Sequence, residues 1–168
     1  FQTSHWLPIQ TLHKTQDILM EAMADVRTLS HQIMPNMLIK NSLSDALRDL
    51  ISKTNSPKLQ IDLKMEGLKN DLNQNIQVVM YRVIQECINN TIKHAKANRV
   101  EISLIQSNTM IEAIFKDDGV GFNPLKISSK NDGLGLDNIK SRIDMLKGDL
   151  KIKSAEGQGT SIVMKIPI

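Results

Sequence analysis

Residues 100–122 read VEISLIQSNTMIEAIFKDDGVGF, and the fold turns on this stretch. Val100, Ile102 and Leu104 alternate with polar neighbours, and so do Ile111, Ala113 and Phe115. A period of two places each set on one face of a strand. The intervening Ser107-Asn108-Thr109 predicts a hairpin with one buried side. The second strand runs straight into Asp117-Asp118-Gly119-Val120-Gly121. Beyond it lie a polar stretch, the glycine pair of Gly133-Leu134-Gly135-Leu136, and a helical run. That run carries Leu136, Ile139, Ile143 and Leu146, with Gly148 expected as its C-terminal cap. Two last strands, around DLKIKS and TSIVMKIPI, flank the turn AEGQG.

Upstream of the hairpin, residues 70–97 predict a long helix whose apolar set is Leu72, Ile76, Val79, Met80, Val83, Ile84, Cys87, Ile88, Thr91 and Ala95. Before it, Leu59, Ile61, Leu63 and Met65 alternate as a half-buried strand closed by Gly67. Ser42, followed three residues later by Asp45, is a capping-box pattern opening a short amphipathic helix that ends before Pro57. Hairpins forming one layer and helices the other make an α+β sandwich.

Residues 9–34 form a further helix, free of Gly and stopped by Pro35. Leu12, Thr15, Leu19, Ala22, Val26, Leu29 and Ile33 recur at alternating steps of three and four, a heptad seam that suits a homodimer. Ile18, Met20 and Met23 broaden the stripe to bundle width; the alternative is a helix packed on its own domain. The chain thus divides into a helical region, 1–40, and a domain, 41–168.

Hydrophobic residues make up 40% and charged residues 23% of the 168, enough for a real core. Aromatics are only 3%, so aliphatic side chains and nine Met must fill it. The net charge of +3 is carried by scattered Lys and Arg without interleaved aromatics, which argues against a nucleic-acid surface and equally suits a polyanionic ligand. A single cysteine, Cys87, excludes an internal disulfide framework and reads as a buried thiol. No run approaches the roughly 20 apolar residues of a membrane span, and no signal peptide is visible. A first residue other than Met suggests a piece of a longer protein; the expected location is cytoplasmic, with a parent that is membrane-anchored or not.

Three clusters carry chemistry. Glu86 and Asn90 stand four residues apart on the long helix and Lys93 three further on, at the edge of the apolar stripe, while His94 points into it. A carboxylate, a carboxamide oxygen and an ammonium on one rim can hold a hydrated Mg²⁺ ion and phosphates; the alternative is a solvated helix edge. Asp117 to Gly121 can receive a flat ligand and an exocyclic amine, or be an ordinary turn. Gly133 and Gly135 open a helix, where backbone N–H groups suit phosphates, although such a pair is common in loops. Gly157, Gly159 and Thr160 add a smaller sign.

In this order the clusters resemble the GHKL superfamily, the ATP-binding fold shared by histidine kinases, Hsp90-type chaperones, type II topoisomerases and mismatch-repair ATPases. QECINN resembles its N box, DDGVG and GLGL its two glycine boxes, and GQGT its terminal element, spanning residues 74–168. The resemblance implies a Bergerat-type sandwich, a mixed sheet with helices on one face, that binds ATP and Mg²⁺. It implies Asn90 as the Mg²⁺ ligand, Glu86 as base or polariser, Lys93 near the phosphates and Asp117 reading the adenine amine. Gly119 and Gly121 would line the base pocket, Gly133, Gly135 and Leu136 would serve the lid and phosphates, and Thr160 would support the adenine site. Asp118 departs from the family's frequent Asn. Residues 122–131, between Gly121 and Gly133, would be a lid.

The front third, DVRTLSHQIMPNML and the SLSDAL helix, resembles sensor kinases that work with helix-turn-helix response regulators. In that group the acceptor His is followed by Asp. His5, His13, His31 and His94 are followed by Trp6, Lys14, Gln32 and Ala95, so the acceptor is expected upstream or absent. His31, within SHQIMP, lacks the acidic neighbour and reads as a surface or interhelix residue. The expected activity is histidine phosphorylation from ATP and relay to a response regulator's Asp. The rivals are a serine kinase of the anti-sigma-factor type, a non-catalytic dimerisation scaffold and, more distantly, a nucleic-acid binder.

Overall fold

In the computed structural model the chain falls into two units, residues 1–35 and 36–168. The structure describes residues 38, 41–69, 71–123 and 134–168, all in the second unit. The heptad helix, the region 1–40 apart from Leu38, His31, Gly133 and most of the expected lid lie outside the described residues.

Helix α1, Leu43–Thr54, starts where the capping pattern places it. The Ser42 hydroxyl accepts from the Asp45 N–H at 3.2 Å and donates to the Asp45 carboxylate at 2.7 Å, satisfying an otherwise orphaned first-turn donor. Leu43, Ala46, Leu47 and Ile51 form its buried stripe. Strand β1, Gln60–Glu66, follows. Helix α2, Gln74–Asn90, is capped by Asn73, whose side chain accepts from Asn75 N–H at 2.9 Å. It therefore begins four residues later than the apolar pattern alone suggests, because Asn73 offers the backbone a capping oxygen.

The α2 ladder does not run regularly to its end. Thr91–Ala95 is a π-turn, closed by Lys96 in the left-handed conformation at φ 51°. A π-turn takes one residue more than an α-turn, so Thr91 and Ala95 stay inward while the residues between them bulge out. Ile92 is 56% exposed in consequence. His94, expected to point into the apolar stripe, is exposed for the same reason.

Strands β2, Arg99–Gln106, and β3, Met110–Asp117, form the expected antiparallel hairpin, with Ile102 opposite Phe115. Helix α3 spans Leu134–Met145. Its end corrects the expected glycine cap: Lys147 takes the left-handed conformation at φ 54°, while Gly148 N–H donates to Ile143 C=O at 3.0 Å. A Cβ on Gly148 would lie 2.8 Å from the Lys165 carbonyl. Strands β4, Asp149–Ser154, and β5, Thr160–Pro167, complete a five-stranded sheet ordered β1-β2-β3-β5-β4. The β1–β2 pair is parallel and the others are antiparallel. Parallel pairing of successive strands needs a crossover connection, and α2 provides it.

One sheet face is buried under the helices by Val100, Ile102, Leu104, Ile111, Ala113, Phe115, Ile162, Met164 and Ile166. Against them α2 sets Ile76, Met80, Val83, Ile84, Cys87 and Ile88, and α3 sets Ile139 and Ile143. α2 packs on both α1 and α3. The opposite face is charged and open. The fold is a mixed-sheet α+β sandwich, as the alternation patterns indicate.

Candidate active site

Asp117 ends the central strand β3 and stands opposite Thr160, the first residue of β5. Its carboxylate accepts from the Gly119 N–H at 2.9 Å and from the backbone and hydroxyl of Thr160. Burial nevertheless raises its pKa above the usual carboxylate value, and the neighbouring Asp118 charge adds to the rise. Asp118 turns elsewhere: its Oδ1 accepts from Asn98 N–H at 2.8 Å and Arg99 N–H at 2.9 Å, tying the β3 end to the β2 start. Either Asp or Asn supplies that acceptor, so its departure from the frequent Asn is structurally mild.

A cavity of about 500 Å³ opens beside Asp117, a size suited to a nucleotide-scale ligand. Phe115, Phe122 and Ile162 give it apolar walls, and Asp117 and Thr160 stand at that end. The α2 rim contributes Glu86 and Asn90, the π-turn contributes Lys93, and the first turn of α3 contributes Gly135 and Leu136. Glu86, Asn90, Lys93, Asp117, Gly121, Gly135, Leu136 and Thr160, separated by up to 74 positions in sequence, thus surround one space. Gly119 does not reach the cavity wall: it packs behind it, where a Cβ would meet the Ala95 backbone. Gly133 lies outside the described residues.

Gly135 shows why a glycine opens α3. A Cβ there would lie 2.8 Å from Glu86 Oε1 and 3.0 Å from Asn90 Nδ2, so a side chain would push the polar rim apart. Gly159 holds φ 70°, and its bare Cα lets the β5 start close against the Asp117 carbonyl. Further along α3, burial and the neighbouring Arg82 charge lower the Arg142 pKa, while Glu86 opposes them. Gly135 near Asn90 and Arg142 near Arg82 mean that α3 runs antiparallel to α2.

Cys87, Thr91, His94, Ala95, Phe115, Phe122 and Ile162 also line the cavity without having been expected there. Cys87 and Phe115 carried only a core signal, and His94 reaches the rim through the π-turn. Burial, reinforced by the Glu86 and Asp117 charges, pushes the Cys87 thiol pKa up and keeps it protonated. Among the described residues no three His, Cys, Asp or Glu side chains cluster as a metal cage. A larger concavity, about 570 Å³, lies on the open face of β1 and β2. Its Arg99 and Asp62 pair at 2.8 Å, more than half exposed, as on a solvated surface.

A cavity lined by apolar side chains, a carboxylate, a carboxamide and an ammonium suits a planar amine joined to an anion. Residues 75–168 match the family of histidine kinase-, DNA gyrase B-, and HSP90-like ATPases. The chain belongs to this family. Among its relatives, the signal transduction histidine-protein kinase/phosphatase DegS of Brevibacillus brevis is 27% identical, over 95% of this chain and 41% of its own length. The sensor histidine kinase ComP of Bacillus subtilis is 33% identical, over 88% of this chain and 20% of its own. The chain therefore spans less than half the length of these relatives. The fold is shared with the Acinetobacter baumannii histidine kinase AdeS, at TM-score 0.59 and 19% identity over 99% of this chain and 86% of that one. It is shared too with the histidine kinase domain of the Erythrobacter litoralis blue-light activated kinase, at TM-score 0.58 and 17% identity over 74% and 58%. The GHKL resemblance read from the four boxes is thereby established, and the relatives place the chain beside sensor histidine kinases.

Proposed function

We propose that this chain is the catalytic core of a two-component sensor histidine kinase, binding Mg²⁺-ATP and transferring the γ-phosphoryl group to a histidine. The observation that carries the reading is the convergence on one cavity of Asp117–Thr160, from the sheet, and of Glu86–Asn90–Lys93, from α2 and the turn that follows it. On the sheet side, the ionised Asp117 carboxylate accepts from the adenine amino group while Phe115, Phe122 and Ile162 cover the ring. On the helix side, Lys93 and the first turn of α3, with Gly135 and Leu136, face the phosphates.

Asn90 Oδ1 fits Mg²⁺, which takes oxygen ligands and retains several waters, so a single carboxamide beside phosphate oxygens suffices. When bound, the ion neutralises phosphate charge. Glu86, on the same helical face, orients the incoming imidazole. The neutral ring attacks through the nitrogen bearing the lone pair, and Glu86 receives the proton or hydrogen bond of the other nitrogen. The P–O bond to ADP breaks as the P–N bond forms. Phosphoryl transfer of this kind needs positioning and charge balance more than covalent help.

The acceptor histidine belongs to the helical region of the parent kinase, and a response-regulator aspartate receives the group next. Residues 1–40 are the second helix of a dimerising bundle, and residues 41–168 the catalytic domain. No described helix is long and apolar enough to cross a membrane, in keeping with a catalytic domain on the cytoplasmic side. A structure of the chain with a non-hydrolysable ATP analogue and Mg²⁺ tests the reading. The adenine amine should lie within hydrogen-bond reach of Asp117 and the ion about 2.1 Å from Asn90 Oδ1. A nucleotide seated on the open sheet face would overturn it.

A further inference from the structure

Ser154, the last residue of β4, lies outside all four boxes and off the cavity wall. Its hydroxyl is nonetheless the meeting point of three segments. It accepts from the Phe122 N–H at 2.9 Å and donates to the Gly159 carbonyl at 2.8 Å. Its third neighbour, at 3.2 Å, is Thr160 Oγ1, on the residue paired with it across β4 and β5. A serine hydroxyl has one proton and two lone pairs, so with its proton on Gly159 the Thr160 contact is a hydrogen bond only when Thr160 donates it.

Two of those neighbours belong to the wall at the Asp117 end. Phe122 supplies the aromatic face there, and Thr160 donates to the Asp117 carboxylate. Thr160 has a single proton, and both Asp117 and Ser154 lie within its reach. With Asp117 ionised the proton goes to the carboxylate. Ser154 then fixes Thr160 through the peptide that joins it to Gly159, whose carbonyl keeps the Ser154 proton at 2.8 Å. The orientation of the carboxylate and the placement of the aromatic wall therefore depend on one side chain behind them.

We propose that Ser154 is a positioning residue for base recognition, fixing Phe122 and Thr160 so that the adenine slot is formed before the nucleotide arrives. The proposal rests on the nucleotide reading above and concerns only the base end of the cavity. Loss of the hydroxyl leaves the Phe122 N–H without its acceptor and the Gly159 carbonyl without this donor in a part-buried place. The Glu86–Asn90–Lys93 rim keeps all its contacts.

The test compares Ser154→Ala, Ser154→Thr and Ser161→Ala, a neighbouring β5 position, in the full 168-residue chain. Each is titrated with Mg²⁺-ATP and, separately, with Mg²⁺ and inorganic tripolyphosphate, which offers the phosphates without a base. Ser154→Ala should weaken ATP about tenfold and leave tripolyphosphate unchanged. Ser154→Thr, which keeps the hydroxyl, should stay close to wild type, as should Ser161→Ala. Should the alanine variant not fold, Ser154→Cys keeps the volume with a weaker donor and acceptor, and the same selective loss is expected. Unchanged ATP affinity in Ser154→Ala, or equal losses for ATP and tripolyphosphate, would overturn the assignment. Hydrogen exchange of the Phe122 amide without ligand separates this inference from the reading beneath it. Faster exchange in Ser154→Ala, with ATP bound by wild type, supports both. A wild-type chain that binds no ATP defeats the nucleotide reading and this role with it, whatever the exchange shows about the contact.

Discussion

Asp117 is held half-buried with three hydrogen-bond donors converging on its carboxylate, and burial still raises its pKa. A group whose pKa rises on folding contributes stability below its unfolded value and loses that contribution as pH climbs through the folded value. At neutral pH its ionisation therefore works against the fold, while an amine-bearing base requires it. ATP affinity should accordingly fall as pH drops from neutral, beginning at a higher pH than for an ordinary carboxylate at 3.8. Titrations across the mildly acidic range, with Asp117→Asn beside wild type to cancel phosphate protonation, check this: the pH dependence should be larger in wild type. Gly135 makes the complementary case for the polar rim. Gly135→Ala places a methyl group against the Glu86 and Asn90 side chains. Their flexible ends give way, so phosphoryl transfer in the intact kinase should fall tenfold or more while the melting temperature changes little.

At the scale of elements, legibility followed local rules. The β2–β3 hairpin declared itself through alternation and a polar turn, and α1 through Ser42 and Asp45. Ser42→Ala should cost about 1 kcal/mol of stability by removing the cap, measured by chemical denaturation. The end of α2 was misread for a physical reason. Apolar spacing reports a helix of constant period, and nothing in Thr91-Ile92-Lys93-His94-Ala95 announces the change to a wider turn. That change faces His94 toward the cavity rim and brings Ala95 against Gly119. Likewise Lys147 adopts the left-handed conformation expected of a glycine, because Gly148 is needed where the chain presses on Lys165. Glu86, Asn90 and Asp117 could be named through the resemblance of their boxes, taken together, to the family, each cluster alone being ambiguous. Phe115, Phe122 and Ile162 could not, since their apolar side chains look the same whether they face a core or a ligand.

For the whole molecule, the pairing of β5 between β3 and β4 decides where the cavity lies. That pairing is non-local: it sets Thr160 beside Asp117 and Ser154 beside Thr160, a register that no short-range pattern specifies. The sheet's outer strands carry Asp62, Lys64 and Glu66 on one edge and Lys151 and Lys153 on the other, charges that oppose pairing with another chain's edge. Helices on one face and an open charged face on the other leave the C-terminal end of β3, the π-turn and the first turn of α3 around one opening. Calorimetric titration of the purified chain with ATP and Mg²⁺, beside Asp117→Asn and Asn90→Ala, tests this arrangement most directly. Wild type should bind with an affinity that falls at least tenfold in Asp117→Asn, where an amide donor meets the adenine amine. Asn90→Ala should bind with little response to Mg²⁺. A folded wild-type chain that takes up no heat from ATP, or variants that bind as wild type does, would contradict it.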